Sequence, residues 1–192
     1  MTKGTKRTQQ ATMKKTTGPT NHALIIASDF AGLKGTTNDA DAMTAALQRH
    51  DFTVVKCCSP DSTRANILNE LEMLTQRVHQ GDAVVIYYSG HGGLVEAESN
   101  WEAAKAGRKP LRRFQFIYPV NFDMSIEGGF HGIMDVELSH YTRTLIRITE
   151  NTTVIFDCCH SARMTRYAND GIERRARGLP LRRRYDLSGH VA

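Results

Sequence analysis

The stretch AVVIYYSGHGG, residues 83–93, decides how this chain folds. Its first part is an apolar run rich in β-branched and aromatic residues, which has the length of a buried strand. The run then stops in a glycine turn that contains His91. The stretch therefore predicts a buried strand whose carboxyl end presents a histidine.

A second stretch, VIFDCCHSA at residues 154–162, has the same form. An apolar run stops abruptly at Asp157, Cys158, Cys159 and His160. In a parallel sheet, reactive groups gather at the carboxyl ends of strands, where loops hold them above a buried scaffold. Neighbouring parallel strands lie about 4.8 Å apart, so the two end loops can meet despite their separation along the chain.

Strands and helices alternate around these two stretches. Strands are predicted at 22–28, 52–58 and 114–120, in addition to the two apolar runs, and residues 94–113 are predicted as a long loop. Amphipathic helices are predicted after the first strand, over 60–80 and over 135–149, the first of them capped by Asn38. This order predicts an α/β fold with a mostly parallel sheet covered by helices.

A cysteine beside a histidine is the usual pair for nucleophilic acyl transfer. A nearby imidazole promotes loss of the thiol proton. Backbone N–H groups of Gly92 and Cys159 could bind the developing oxyanion without steric blockade. The alternative is that Cys158 and Cys159 fill space at a strand end, as buried cysteines often do. His160 follows the cysteine directly, so we expect structural hydrogen bonds from it rather than a role as the base.

The net charge of +5 comes from the two ends of the chain. Residues 1–19 carry five basic residues and no acid, and residues 163–192 carry eight arginines against three acids. The part between them has five more acidic than basic residues, which argues against a core that binds DNA. Aromatic residues for base stacking are not interleaved with the basic ends, so nucleic-acid binding is not predicted. No apolar run reaches the roughly 18 residues that span a bilayer, so no membrane association is predicted.

The four cysteines occur as two adjacent pairs, at 57–58 and at 158–159. Neither pair has the spacing of a zinc site, and no export signal precedes them. A disulfide framework is therefore a poor interpretation, and reduced thiols in the cytoplasm or nucleus fit better.

The two strand-end motifs resemble those of the metacaspase branch of caspase-type cysteine peptidases, family C14, and of fungal caspase-like p20 domain proteins. Supporting segments occur in the family's order, from LKGTTNDADAM at 33–43 to GIMDVELSHYTRTL at 132–145. The resemblance implies a three-layer caspase-like sandwich over residues 21–166 and an Arg-rich linker or tail over 167–192. The composition of residues 1–20, rich in Thr, Lys and Gln, predicts a disordered basic lead-in. The resemblance also implies polypeptide substrates and, by analogy, a role in programmed cell death.

Carried over by position, His91 matches the catalytic histidine and Cys159 the nucleophile, with Cys158 a bystander. The resemblance also implies a substrate (S1) pocket lined by Asp39, Ser89 and Asp157. Two carboxylates in one pocket fit an arginine or lysine side chain before the scissile bond, the P1 residue. For Asp39 alone, an acid favoured by the helix dipole is the simpler interpretation.

Calcium is implied for many members of this family, but its ligands are poorly matched here. The relevant positions hold Asn121, Asp123 and Arg166, whereas a hard cation needs several carboxylate oxygens. We therefore predict no metal site, and the sequence requires no cofactor.

Residues 163–192 do not contain the two p10 strands that complete a caspase sheet. We therefore expect either a p10-like partner or self-association at the sheet edge. The alternative function is a non-catalytic caspase-like scaffold, or truncated pseudo-enzyme, that acts by protein–protein interaction. The runs ERRARG and LRRRYD could be sites of self-cleavage, although a plain basic tail explains them as well.

Overall fold

The structure is a computed structural model and describes residues 18–96, 107, 113–122, 129–158 and 187. Its helices and strands, in chain order, are β1 (Asn21–Ala27), α1 (Thr36–Gln48), β2 (Phe52–Cys58), α2 (Arg64–Arg77), β3 (Ala83–Ser89), β4 (Gly92–Glu96), β5 (Arg113–Ile117), β6 (Ile133–Met134), α3 (Asp135–Ile148) and β7 (Thr152–Asp157).

The main sheet has the strand order β2-β1-β3-β7, and every pair in it is parallel. The strand β1 lies inside the sheet, and almost all of its residues are buried because helices cover both of its faces. The register pairs Ser89 of β3 with Asp157 of β7, so their side chains leave the same face at the same level. The carboxyl ends of β3 and β7 therefore meet, as the two motifs predicted.

Helices form a layer on each face of the main sheet. Ala40 of α1 packs on one face with Ile25 and Tyr87. On the other face, α2 and α3 pack side by side, and their apolar residues form the main core with Leu24 and Tyr88. The predicted three-layer α/β architecture is confirmed.

The helix α1 begins two residues earlier than its predicted cap, Asn38. Gly35 stands before the first helical residue with φ of 102°, a left-handed conformation that suits glycine. Asn38 consequently lies inside the first turn, and so does Asp39. The glycine, rather than a capping side chain, determines where this helix begins.

A second, antiparallel sheet with the strand order β4-β5-β6 was not predicted. The predicted loop over 94–113 is wrong at its start, because β4 pairs with β5 from Gly92 to Glu96. The predicted strand at 114–120 belongs to this small sheet and ends at Ile117. Two adjacent glycines in β4 obscure the alternation of apolar and polar residues that would predict a strand. The strand forms because its pairing with β5 and the packing beneath it outweigh its weak β-propensity.

A second core lies under the small sheet, and we call it the aromatic cluster. It consists of Val95, Phe114, Phe116, Tyr118, Phe122, Phe130, Met134 and Leu187, all of them buried. Ring centroids of Phe116 and Tyr118 are 4.6 Å apart, and those of Phe116 and Phe130 are 4.9 Å apart. Such tilted and edge-to-face pairs are favourable arrangements for aromatic side chains.

Candidate active site

A cavity of about 380 Å³ opens where the ends of β3 and β7 meet the start of α1. Its walls come from three parts of the chain that are distant in sequence. The lining residues are Leu33, Lys34, Thr36, Asp39, Ser89, Gly90, His91, Asp157 and Cys158. The cavity thus gathers the ends of the two stretches with which the sequence analysis began.

Most of the predicted site residues that the structure describes share this cavity. His91 lies on one wall, and Asp39, Ser89 and Asp157 lie on others. Cys159, which is predicted to be the nucleophile and an oxyanion donor, lies outside the described residues, as does His160. The residue that precedes Cys159 in the chain lines the cavity.

Both carboxylates of the cavity accept a hydrogen bond from a hydroxyl on β3. The Ser89 hydroxyl donates to Asp39 Oδ2 at 3.0 Å, and the Tyr87 hydroxyl donates to Asp157 Oδ2 at 3.5 Å. Ser89 is only 3% exposed, so its hydroxyl is held in a fixed position. Burial, and next the charge of Asp157, raise the pKa of Tyr87, which keeps this phenol a neutral donor. The cavity therefore presents two oriented negative charges.

The backbone carbonyl of His91 is fixed by two donors. The Tyr118 N–H donates to it at 3.1 Å and the Tyr88 hydroxyl at 2.9 Å. The Tyr88 hydroxyl also lies 3.2 Å from the Tyr118 carbonyl, so its single proton is shared between two acceptors. The imidazole of His91 meets the Tyr118 ring edge-on, with centroids 6.2 Å apart. The two tyrosines thus fix the peptide that carries His91.

Partial burial lowers the pKa of His91 below its usual value of 6.5, because desolvation disfavours the imidazolium. The ring is therefore neutral at pH 7 and can accept a proton. Because the pKa of His91 is lower in the folded protein than in the unfolded chain, the fold is more stable above the unfolded pKa of this histidine than below its folded pKa. This contribution to stability is lost as the pH falls through the folded pKa of His91.

An NMR titration should find the pKa of His91 below 6.5. The His91 ring signal can be assigned by its loss in His91→Gln, and an unfolded peptide carrying residues 88–94 supplies the reference value. A folded-state pKa at or above that of the peptide would contradict the desolvated environment of His91.

Gly92 starts β4, and its N–H is directed away from β5. The Tyr118 N–H bonds to the His91 carbonyl, which makes His91 and Tyr118 a hydrogen-bonded pair of the antiparallel ladder. Bonding directions alternate along such a ladder, so the next pair, Gly92 with Ile117, has its backbone groups directed outward. Gly92 is not among the residues that line the cavity, and its role as an oxyanion donor stays a prediction.

Several residues around the cavity were not singled out from the sequence. Tyr87 and Tyr88 were predicted only as part of a buried strand, and no role was given to Tyr118. Lys34 lines the cavity as a cation beside the two acids. The sequence signal for Lys34 is its place five residues before Asp39, and that for Tyr88 is its place three residues before His91. The contact of Tyr118 with His91 joins residues that are far apart along the chain and leaves no local signal.

Two of the other cysteines, Cys57 and Cys58, stand in surroundings that suppress their reactivity. Cys57 is buried at the end of β2, and this burial raises its pKa to about 11. Burial also raises the pKa of Cys58. Cys158 packs against the main core on one side while lining the cavity on the other. A thiol with a raised pKa is a poor nucleophile at neutral pH, because only the thiolate attacks.

Of the three positions compared above with calcium ligands of the family, the structure describes one, Asn121. The side-chain oxygen of Asn121 accepts the N–H of Arg64 at 2.9 Å, so it caps the start of α2. Asp123 and Arg166 lie outside the described residues. Within the part of the chain that is described, no group of three or more His, Cys, Asp or Glu side chains is arranged to hold a metal ion.

The sequence matches the family model of the caspase domain, Peptidase_C14, over residues 20–184. The chain belongs to the caspase domain family. The match includes both motifs, the whole main sheet and the cavity. As a member of this peptidase family, the caspase domain described here is related to proteins that act on polypeptides.

Metacaspases are among its curated relatives. The chain is 29% identical to Metacaspase-5 of Trypanosoma cruzi over 161 residues, which cover 76% of this chain and 34% of that protein. It is 30% identical to Metacaspase-5 of Trypanosoma brucei brucei and to Metacaspase-1 of Kluyveromyces lactis, each over 156 residues. These matches cover 73% and 72% of this chain but 28% and 33% of the relatives. The chain thus spans about a third of the length of the curated relatives it matches.

A solved structure of a Geobacter sulfurreducens protein has the same fold. It superposes with a TM-score of 0.58 at 22% identity, over 74% of this chain and 52% of that one.

None of the helices in the described residues is sufficiently long and apolar to cross a membrane.

Proposed function

We propose that this caspase domain is a cysteine endopeptidase that cleaves peptide bonds after arginine or lysine through Cys159 and His91. One observation carries the proposal: a single cavity holds His91 and the residue preceding Cys159 together with two carboxylates. A histidine near a thiol is suited to acyl transfer, and paired carboxylates are suited to a cationic side chain.

In the proposed reaction, the neutral His91 takes the proton of the Cys159 thiol, and the thiolate attacks the carbonyl carbon of the scissile bond to form a C–S bond. The N–H groups of Gly92 and Cys159 bind the resulting oxyanion. As the C–N bond breaks, His91 gives a proton to the leaving amine. Water then attacks the thioester, the C–S bond breaks, and the acid product leaves with the thiol restored.

Asp39 and Asp157 are proposed to bind the P1 side chain. An arginine offers a planar fork of donors that two carboxylates can accept, whereas a lysine offers a single ammonium. Because of this fork, arginine is expected as the preferred P1 residue. Lys34 lines the same cavity and reduces the net negative charge of the cavity. A neutral or acidic P1 residue is therefore disfavoured less strongly than two acids without a nearby cation would imply.

The test uses fluorogenic peptides that differ only in their last residue, Arg, Lys or Asp. We expect cleavage of the Arg and Lys peptides, its loss in Cys159→Ala, and its retention in Cys158→Ala. Each peptide should be tested with and without calcium. Equal loss in both cysteine variants, or cleavage of the Asp peptide alone, would contradict the proposal.

A non-catalytic scaffold is the second candidate. Among the described strands, β7 has β3 as its neighbour on one side and forms the edge of the main sheet. Ile155 on this strand is 36% exposed, and edge strands with exposed apolar residues can recruit another chain. A folded sample that is inactive on every peptide, yet binds a p10-like partner or itself through β7, would favour this candidate.

A cytoplasmic or nuclear location and a role in programmed cell death stay predictions.

A further inference from the structure

Leu187 is a buried member of the aromatic cluster, although it is separated along the chain from every other residue of it. Its side chain is only 3% exposed. The other seven members lie between residues 95 and 134. The match to the caspase domain model ends at residue 184, three residues before Leu187.

The aromatic cluster is joined to the cavity through Tyr118. Tyr118 belongs to the cluster, its N–H binds the His91 carbonyl at 3.1 Å, and its ring meets the imidazole. Phe30 stacks on the other side of Tyr118, with ring centroids 5.2 Å apart. A displacement of Tyr118 would therefore move the peptide and the ring of His91.

Little free space exists around these rings, so the position of each depends on its neighbours. A Cβ built on Gly132 would lie 2.5 Å from both Phe116 and Phe130, and one built on Gly93 would lie 2.6 Å from Phe116. Real side chains do not approach so closely, which means that the rings pack directly on the backbone. In a core of this density, removal of one apolar side chain leaves a space into which its neighbours relax.

We propose that Leu187 is an intramolecular ligand of the aromatic cluster, and that its packing there holds Tyr118 and therefore His91 in position. Packing of Leu187 thus becomes a requirement for the competent arrangement of the cavity. The catalytic consequence rests on the proposed function, whereas the effect on His91 does not.

The experiment uses the full chain with Leu187→Ala, together with Leu187→Met, which conserves most of the volume. Leu94→Ala is the matched control, because Leu94 lies on β4 of the same small sheet but is 37% exposed. We expect Leu187→Ala to shift the His91 ring signal in NMR spectra and its pKa. Leu187→Met and Leu94→Ala should leave both close to wild type. If the protein is active, kcat/KM for the Arg peptide should fall roughly tenfold in Leu187→Ala alone, which corresponds to about 1.4 kcal/mol.

A peptide of residues 185–192 provides a second measurement. Added at millimolar concentration to Leu187→Ala, it should return the His91 signal toward wild type, since tethering normally supplies an effective concentration of about that order. The same peptide with alanine at position 187 should have no effect. If Leu187→Ala does not fold, Leu187→Val makes a smaller cavity and serves in its place.

The outcomes separate this proposal from the proposed function. A lowered Tm with an unchanged His91 signal would overturn it, because Leu187 would then only fill the core. Failure of the peptide to change the His91 signal of Leu187→Ala would overturn the claim of a separable ligand. If the wild-type protein cleaves nothing while the His91 signal follows Leu187 as expected, the proposed function fails and this inference stands.

Discussion

Replacing Asp39 and Asp157 together by asparagine is expected to lower kcat/KM for Arg peptides by about 100-fold or more. A hydrogen bond to a charged group contributes about 1.5–3 kcal/mol, so each lost carboxylate corresponds to roughly a tenfold to hundredfold effect. The fold should persist, because an amide oxygen at position 39 can still accept from Ser89, 3.0 Å away in the native protein. An amide oxygen at position 157 can likewise accept from Tyr87. The loss should therefore reflect charge rather than unfolding.

Asp41→Asn is the matched control for the double substitution. Asp41 lies on α1 like Asp39, but it is exposed and pairs with Lys56 on β2 rather than lining the cavity. Its replacement should leave kcat/KM within about twofold of wild type, since exposed ion pairs contribute less than about 1 kcal/mol. The measurement is kcat/KM for Arg, Lys and uncharged P1 peptides, with Tm recorded for each variant. An equal loss for charged and uncharged peptides would exclude the two acids as the P1 site.

Gly90→Ala is expected to lower the free energy of unfolding by about 2–3 kcal/mol, the upper range for inserting a methyl group into a packed core. Gly90 does not have a positive φ, so it is required here for close approach. A Cβ at this position would collide with the Tyr88 hydroxyl, lie 2.6 Å from Cζ of the same ring, and lie 3.2 Å from the Ser28 carbonyl. Tyr88 is fully buried and cannot move aside. Because the same hydroxyl binds the His91 carbonyl, activity should fall together with stability.

Thermal unfolding measures the effect, and a fall in Tm of roughly 5–10 °C is expected for a chain of this size. Gly18→Ala is the control, because a Cβ there meets nothing within 4 Å. A double-mutant cycle that combines Gly90→Ala with Tyr88→Phe gives a further check. The Tyr88→Phe substitution removes the hydroxyl that would collide with the new Cβ but keeps the ring carbon Cζ. The double variant should be less destabilised than the sum of the two single variants. Strict additivity would mean that the Gly90 Cβ does not meet Tyr88.

The alternation of apolar runs and amphipathic helices was sufficient to predict the main sheet. The amphipathic helix predicted over 60–80 corresponds to α2, in which Ile67, Leu71 and Leu74 are buried. The approach of the ends of β3 and β7 was also predicted, because parallel strands place their carboxyl ends on one side of the sheet. The meeting of His91 with Asp157 in one cavity follows from these rules.

The small sheet could not be predicted in the same way. Its strand β4 carries two glycines and has no clear alternation, and its partner β5 lies 17 or more residues further along the chain. Such a strand forms only because the aromatic cluster packs beneath it, and the members of that cluster come from β4, β5, β6, the loops between β5 and β6, and position 187. Pairing and packing between distant segments leave no periodic signal in a local window of sequence.

The sequence by itself determined the α/β class, the parallel direction of the strands in the main sheet, and the acidic and histidine-bearing strand ends. These features depend on local periodicity and on the fixed handedness of strand connections. Only the tertiary structure decided that Tyr118 binds the His91 carbonyl and that Leu187 fills the aromatic cluster. Those contacts depend on how side chains from distant segments fill a common space, which dense packing specifies in three dimensions and not along the chain.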